Sequence, residues 1–420
     1  MFHTLNCFQW SAAHCVWWGI WFVCVCLTLV LLWRLFRSVP VSGQPSVPAE
    51  SETKGLSVIL LAEHLLEEND AEDSLRAFLT QEIEGFYEVI VADARVSEAQ
   101  SDMLSALCVR LQTSFKRLRL VSVPPTTRHI IPTALARMLA VKAAYAPCVA
   151  VCDMRMRPHD TGWAARLLSR VGEGVQFVQF YSNHEGDTAV SRRAAAHRFV
   201  RFSALWRSAR QGVPSAFFRD GFVVKREWVL SCGTQREDVV RQWDDVVWMS
   251  ALSDAASGGS VCVTADVDTR LWLHGEPERR LRDRGSDFVK LSSFSDRSSN
   301  LVSFLLWLTL FLSLALFVVL FSRAVFDEMW LSLLPAFLSP VTFLFSVGLE
   351  LKIIGKKSAL ALGDEPYPWY VLLQTTLAAL PAAFASLWRR HRPQIPADNR
   401  PLPRLSREMI CFAQCYSKNI

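Results

Sequence analysis

The sequence predicts an α/β fold built on a mainly parallel sheet with helices on both faces, and transmembrane helices at both ends. Strand-like apolar runs alternate with helical patterns between residues 56 and 152, which is typical of βαβ units. The run 148–152 is apolar without alternation, as in a parallel strand that is covered on both faces. Long charge-free runs near both ends are long enough to cross a bilayer.

Composition supports a membrane-attached protein. The 420 residues are 51% hydrophobic with a mean hydropathy of +0.20, which leaves room for one sizeable domain plus apolar spans. The net charge of +5 is modest, and basic residues cluster beside apolar runs, so a membrane surface is a better partner than nucleic acid, for which no motif is found. Eleven cysteines without a C-x-x-C pair indicate a reducing compartment.

Residues 1–37 are predicted to form an amino-terminal transmembrane anchor. The run 16–33 carries no charge, and Arg34 and Arg37 follow it, whereas no Lys or Arg precedes it. Positive charge stays on the cytoplasmic side, so the amino terminus is expected outside and the next domain in the cytoplasm. Residues 38–55 are rich in proline and serine and are predicted to be a linker.

Residues 56–297 are predicted to be one cytoplasmic domain. Its elements follow one another as strand, helix, strand, which predicts a mainly parallel sheet. The predicted strands are 56–61, 87–92, 118–123, 148–152, 175–181 and 261–265, and the predicted helices of the first half are 70–81, 97–113 and 132–144.

Residues 189–211 predict a basic amphipathic helix within this domain. One side carries Phe199, Phe202 and Trp206, and arginines occupy the rest of the surface. Such a helix satisfies both faces at a bilayer surface, where headgroups bind the arginines and acyl chains cover the aromatic rings. Docking of the aromatic side on the domain core is the alternative, and the sequence does not decide between them.

The carboxyl-terminal part is predicted to return to the membrane. Residues 298–351 form a transmembrane hairpin, and the lysines that follow lie on the cytoplasmic side. Residues 352–392 are a basic stretch and a segment, 367–388, that is either re-entrant or a fourth span, and residues 393–420 are a cytoplasmic tail. The expected location is the inner, or cell, membrane, in a multi-pass arrangement.

Two acids stand where predicted strands end. Asp93 follows the second strand and Asp153 follows the apolar run 148–152. Open α/β sheets bind ligands in the crevice beyond the carboxyl ends of their strands. Both acids are therefore candidate ligand-binding residues, although Asp153 could also be a solvated loop residue before Pro158.

These features resemble the membrane-bound family-two glycosyltransferases, which have a GT-A nucleotide-sugar domain, over residues 56–363. The resemblance is carried by five stretches, which read Ser57-Val-Ile-Leu, Tyr87-Glu-Val-Ile-Val-Ala-Asp93, Ala140-Val-Lys142-Ala-Ala, Val151-Cys-Asp153-Met-Arg-Met-Arg-Pro158 and Trp243-Asp244-Asp245-Val-Val. It implies a GT-A-like fold and the transfer of a sugar, with inversion, from a nucleotide-sugar donor to a lipid or membrane-associated acceptor.

The resemblance also implies roles for individual acids. Asp93 would contact the nucleobase or ribose, and Asp153 would hold a divalent cation, Mg²⁺ or Mn²⁺, against the donor diphosphate. Asp245, or its neighbour Asp244, would take the proton of the acceptor hydroxyl. Lys142 would neutralise phosphate, but a lysine near a helix end also complements the helix dipole.

Several positions depart from the family pattern. Ala94 replaces the second acid after the second strand, and Arg155 replaces the second acid of the D-x-D motif. The Gln/Arg-x-x-Arg-Trp signature expected before the hairpin is missing. Arg155 either supplies part of the charge that a cation would bring to the donor, or catalysis is lost. An active transferase and an inactive relative that binds a partner therefore remain as alternative hypotheses.

Overall fold

The computed structural model describes most of the predicted α/β domain and parts of the terminal segments. The described residues are 12–37, 55–124, 132–172, 174–185, 188–210, 218, 220–231, 261–264, 267–274, 301, 304–309, 311–312, 315, 318, 322, 333–362, 366–374 and 376–377. They divide into two units. An α/β unit draws on residues 42–186 and 208–276, and a helical unit draws on residues 1–41, 187–207 and 277–387.

The α/β unit is built on a seven-stranded sheet in the order β3-β2-β1-β4-β8-β6-β9. Only β8 runs antiparallel to its neighbours, so the sheet is mostly parallel, as the sequence predicts. Its strands are β1 (Gly55–Ala62), β2 (Phe86–Asp93), β3 (Leu118–Ser122), β4 (Cys148–Asp153), β6 (Phe177–Phe180), β8 (Phe222–Lys225) and β9 (Val261–Thr264).

Helices cover both faces of this sheet. The helices of the unit are α2 (Glu68–Leu79), α3 (Glu98–Gln112), α4 (Pro132–Ala143), α5 (Trp163–Leu168) and α7 (Arg226–Ser231). On one face, α2, α3 and α5 bury a shared core against alternate residues of β1, among them Val58 and Leu60. On the other face, α4 packs against β1, β2 and β3. This arrangement confirms the predicted α/β class with helices on both faces.

The central strand β4 is covered on both sides, in agreement with its apolar sequence. All six of its residues are buried, including the thiols of Cys148 and Cys152. Burial, assisted by the nearby carboxylates of Asp220 and Asp153, raises the pKa of the Cys152 thiol well above its ordinary value. Cys152 is therefore a neutral core residue in the folded chain.

A second sheet of three short strands completes the α/β unit. It has the order β5-β10-β7, with β5 at Met156–Pro158, β7 at Ser182–His184 and β10 at Leu271–Leu273. Strand β10 pairs antiparallel with β5 and parallel with β7. Because β5 begins three residues after Asp153, this small sheet starts next to the carboxyl end of β4.

The helical unit contains α1 (Ala12–Arg37), α6 (Ala189–Arg210) and α8 (Leu333–Leu362), with described helical residues between 301 and 322 and between 369 and 377. Two glycines of helix α8 lie in close contact with residues 367–369. A Cβ atom added at Gly348 would lie 3.1 Å from the Trp369 ring, and one added at Gly355 would lie 3.3 Å from the Tyr367 carbonyl oxygen. Within the described residues, no helix is both long enough and apolar enough to cross a membrane.

Helix α6 buries part of its aromatic side against this unit. Phe199 is fully buried and stacks on Tyr367 with ring centroids 4.6 Å apart, and Arg193 donates a hydrogen bond to the side-chain oxygen of Gln374. Phe202 is also buried. The described aromatic contact of this helix is therefore with protein, since Phe199 stacks on Tyr367 within the helical unit.

Candidate active site

Asp93 and Asp153 end the two strands that flank β1. In the register of the sheet, Asp93 pairs with Ala62 and Asp153 pairs with Leu61. Neighbouring strands lie about 4.8 Å apart, so the two Cα atoms are separated by roughly 10 Å at the same edge of the sheet. Since Leu61 and Ala62 are consecutive, the two carboxylates leave from opposite faces of that edge. A ligand that contacts both has to lie across the carboxyl end of β1.

The carboxylate of Asp153 is bound by Arg155. The backbone N–H and Nε of Arg155 donate to Oδ1 at 2.9 and 3.0 Å, and Nη2 donates to Oδ2 at 2.7 Å. His64 Nε2 lies 3.5 Å from Oδ2. Burial of Asp153 opposes ionisation, but the charge and hydrogen bonds of Arg155 outweigh it, so the pKa of Asp153 is lowered from 3.8. Asp153 is therefore ionised at neutral pH.

This ion pair gives a pH-dependent contribution to stability. A carboxyl group with a lowered pKa in the folded state stabilises the fold above its unfolded pKa, and that stabilisation is lost as pH falls below about 3.8. We expect Asp153→Asn to destabilise the protein at pH 7, and the difference from the parent to shrink as pH falls below 4. Urea unfolding of both proteins at several pH values measures this. A difference that stays constant down to pH 2 would contradict the ion-pair account.

The described residues do not complete a metal site around Asp153. Both of its oxygens accept hydrogen bonds from Arg155, and a guanidinium cannot ligate a cation. Nowhere in the described part of the chain do three His, Cys, Asp or Glu side chains gather as metal ligands. Mg²⁺ and Mn²⁺ need several oxygen ligands, so Asp153 with its present partners offers one ligand position at most.

Asp93 is buried and only partly hydrogen-bonded. Its Oδ1 accepts a hydrogen bond from the backbone N–H of Arg95 at 2.7 Å, and Arg95 adopts a left-handed φ of 52°. Its Oδ2 is buried and makes no hydrogen bond within the described residues. An unpaired buried acceptor is costly, so Oδ2 is a natural place for a ligand hydroxyl or N–H group to donate.

Lys142 lies at the other end of the sheet. It is exposed in the last turn of α4, six residues before the start of β4, whereas Asp153 ends that strand. A six-residue strand is about 20 Å long, so Lys142 is separated from Asp153 by the length of β4. This position suits the helix-dipole explanation of Lys142. Asp244 and Asp245 lie outside the described residues.

The first strand adds site residues that the sequence reasoning did not select. Glu63 and His64 directly follow β1, and Glu63 forms a buried ion pair with Arg137 of α4 at 3.3 Å. Gln100, near the start of α3, donates a hydrogen bond to the carbonyl of His64 at 2.6 Å. Asp93 and Asp153 were selected because ligand-binding groups follow strand ends. The same rule would have selected Glu63 and His64, which follow β1.

No protein-family model matches the sequence, and no curated protein matches it. Among solved structures, the chain is similar to a mannosyltransferase from Pyrobaculum calidifontis in complex with GDP-Man and Mn²⁺, with 14% identity over 89% of this chain and 98% of that one and a TM-score of 0.47.

Two further similar structures cover a smaller share of this chain. The glucosyl-3-phosphoglycerate synthase of Mycobacterium tuberculosis, in complex with Mn²⁺ and UDP-glucose, is 19% identical over 58% of this chain and 81% of that one, with a TM-score of 0.36. The mannosyl-3-phosphoglycerate synthase of Rubrobacter xylanophilus is 14% identical over 61% and 80%, with a TM-score of 0.37. These identities and TM-scores are low, so the function of this chain is inferred from its own residues.

Proposed function

We propose that this chain is a membrane-attached glycosyltransferase that moves a sugar, with inversion, from a nucleotide-sugar donor to a lipid or membrane-associated acceptor. One observation carries the proposal. Two buried acids, Asp93 and Asp153, end the strands on either side of β1 in a mostly parallel sheet. Ligands of open α/β sheets bind at that edge, and the family resemblance implies donor-binding acids after these two strands.

Each acid has a distinct task in this proposal. The unpaired Oδ2 of Asp93 accepts a hydrogen bond from a ribose hydroxyl or a nucleobase N–H group. Arg155, held in place by Asp153, presents a fixed positive charge to the diphosphate, whose negative charge grows as the sugar leaves. Asp245, or Asp244, is the base that the sequence predicts for the acceptor hydroxyl.

Asp153 is the proposed ligand of a divalent cation, Mg²⁺ or Mn²⁺. Such a cation neutralises a diphosphate and stabilises it as a leaving group. Arg155 must release at least one oxygen of Asp153 before that ligand position opens. Two of the similar structures are complexes with Mn²⁺ and a nucleotide sugar, so Mn²⁺ is the cation to test first.

Membrane attachment is proposed through the helical unit. The charge-free runs in the sequence support it, and so do large apolar side chains that the helical unit leaves exposed, such as Phe22 at 63%, Phe311 at 67% and Phe345 at 70%. The proposed topology has the α/β domain in the cytoplasm. Labelling of engineered cysteines in residues 56–297 from outside intact cells would refute that topology.

An inactive relative is the second candidate function. It is favoured by the bonding of both Asp153 oxygens to Arg155, which leaves the expected cation ligand occupied. Calorimetry with UDP- and GDP-sugars, with and without Mn²⁺, followed by transfer assays with membrane lipids, separates the two candidates. Donor binding with transfer supports the transferase, and donor binding without transfer to any lipid supports the inactive relative. No binding of any nucleotide sugar would refute the transferase and leave only an inactive relative that binds a partner.

Arg155→Asp is expected to create a cation site. The substitution gives the sequence Asp-Met-Asp, so a second carboxylate lies two residues after Asp153. It also removes the guanidinium that binds both oxygens of Asp153. We expect Mn²⁺ to bind at least about tenfold more tightly than to the parent, as measured by calorimetry, because each added carboxylate strengthens binding of a hard cation. Lys116→Asp is the matched control, since Lys116 is exposed just before β3 and away from the carboxyl edge. Equal Mn²⁺ affinity in both variants would contradict the assignment of Asp153 as a cation ligand.

A further inference from the structure

One face of helix α8 changes from apolar to basic along the helix. The first part of this face is apolar, with the exposed side chains Val341, Leu344, Phe345, Leu349 and Ile353. The last part is basic, with the exposed side chains Lys352, Lys356 and Lys357. Residues three or four apart lie on the same side of a helix, so Leu349, Lys352 and Lys356 continue one stripe. The polarity of this surface therefore reverses within about two turns of the helix.

The lysines of this stripe have no acidic partner within the described part of the chain. Lys352, Lys356 and Lys357 are all without an ion pair there. The sequence of α8 contains one acid, Glu350, whose Oε2 is buried and makes no hydrogen bond within the described residues. Two residues are about 200° apart around a helix, so Glu350 points away from Lys352. The positive charge at this end of the stripe is therefore not balanced by the protein that surrounds it.

The short segment that follows α8 packs beside Lys352. A Cβ atom added at Gly348 would lie 3.1 Å from the Trp369 ring, and one added at Gly355 would lie 3.1 Å from Cδ1 of Leu372. These two glycines therefore allow the segment to approach the helix closely. Lys352 lies four residues after Gly348 and three residues before Gly355, so it belongs to the helix face that this segment contacts.

Two aromatic rings of the same segment are exposed beside the lysines. Trp369 is 41% exposed and Tyr370 is 55% exposed, and their rings meet edge to face with centroids 6.3 Å apart. The next two residues, Val371 and Leu372, are fully buried, so the segment is anchored while its rings remain accessible. Tryptophan and tyrosine are enriched where acyl chains meet headgroups, because each ring has an apolar body and one polar group.

Helix α6 brings further positive charge to this segment. Phe199 of α6 stacks on Tyr367, and Nη2 of Arg193 donates to the side-chain oxygen of Gln374 at 2.7 Å. The sequence of α6 contains six arginines and no acid. Two helices that are far apart in the sequence therefore both place basic residues next to the segment that carries the exposed rings.

The order of apolar stripe, aromatic rings and lysines follows the layers of one bilayer leaflet. Acyl chains cover apolar side chains, aromatic rings lie at the border, and phosphates lie outside it. From Leu349 to Lys356 the helix rises about 10 Å, similar to the roughly 5–8 Å over which a leaflet changes from hydrocarbon to headgroup. An acidic protein or a soluble phosphate would complement the lysines but not the apolar stripe. A lipid complements both parts of this surface.

We propose that Lys352 and Lys356, flanked by Trp369 and Tyr370, bind the phosphate of an anionic phospholipid. The inference rests on the proposed membrane attachment and adds the class of lipid. A zwitterionic headgroup carries its own ammonium group, which the two lysines repel, whereas an anionic headgroup brings a net negative charge to a site without acids. Each lysine close to an anionic headgroup strengthens binding by about fivefold, so two lysines should select anionic over zwitterionic lipid by tenfold or more.

Native mass spectrometry of the full chain in detergent, titrated with dioleoyl phosphatidylglycerol or dioleoyl phosphatidylcholine, tests the inference. We expect the parent to bind phosphatidylglycerol at least about tenfold more tightly than phosphatidylcholine. The double variant Lys352→Gln, Lys356→Gln should bind the two lipids within about twofold of each other. The matched control is Lys116→Gln, Arg117→Gln, which removes two exposed cations just before β3 and should keep the preference of the parent. Circular dichroism checks that both variants are folded.

The alternative partners give different results. Retention of the preference in the lysine double variant, or equal affinity of the parent for both lipids, would overturn the inference and make an acidic protein the better partner for these lysines. Displacement of phosphatidylglycerol by an equal concentration of glycerol phosphate would overturn it in favour of a soluble phosphate. Recovery of the full chain in the membrane fraction of lysed cells tests the attachment itself. A chain found in the soluble fraction, without lipid preference, would overturn the inference together with the proposed attachment.

Discussion

Asp153→Asn is expected to lower sugar transfer by roughly a hundredfold or more. The substitution removes the negative charge that holds Arg155 through Oδ1 and Oδ2, so the guanidinium loses its fixed position toward the diphosphate. It also removes the proposed ligand of a divalent cation, since a neutral amide binds such cations more weakly than a carboxylate. Transfer from a radiolabelled nucleotide sugar to membrane lipids measures the effect.

The control for this variant is Asp160→Asn. Asp160 is exposed and pairs with Arg166 near the start of α5, so its removal changes a surface ion pair and nothing at the carboxyl edge. Circular dichroism of both variants checks that each is folded. A folded Asp153→Asn protein that transfers sugar at the parent rate would remove Asp153 from the site.

Glu88→Ala is expected to reduce the stability of the fold by about 3–5 kcal/mol. Glu88 is buried in β2 and accepts hydrogen bonds from three groups, the Ser57 hydroxyl at 2.5 Å, the Tyr145 backbone N–H at 2.7 Å and Arg119 Nη2 at 2.5 Å. Removal of the carboxylate leaves the buried Ser57 hydroxyl without its acceptor, and it leaves the Arg119 guanidinium with the Ala143 carbonyl at 2.7 Å but without its ion-pair partner. Chemical denaturation of the parent and the variant measures the loss.

Glu84→Ala is the matched control for Glu88→Ala, because Glu84 is an exposed glutamate four residues earlier. Surface substitutions usually change stability by less than about 0.5 kcal/mol. Equal unfolding free energies for the two variants would show that the hydrogen bonds of Glu88 contribute little to the fold.

The sequence predicted the large sheet well because burial on both faces leaves a strong local signal. The run 148–152 became β4 with one residue added, and 56–61 became β1 with one residue added at each end. The strands of the small sheet were not predicted, since three residues such as Met156–Pro158 are too few to show a period. Strand β8, a four-residue antiparallel insertion between β4 and β6, was also missed.

The site was predictable only where its parts are local. Asp93 and Asp153 were found because a strand end can be read from the chain itself. The hydrogen bonds of Arg155 could not be foreseen, because they depend on the turn after β4.

The buried thiol of Cys152 can report on the opening of the central strand β4. Cys152 is fully inaccessible and immediately precedes Asp153, so an alkylating reagent can reach it only when β4 separates from its neighbours. A nucleotide sugar bound at Asp153 would slow that opening by the factor 1 + [L]/Kd, in which [L] is the free ligand concentration. The rate of alkylation at Cys152, read by mass spectrometry because the chain has ten other cysteines, therefore measures donor affinity without acceptor or turnover.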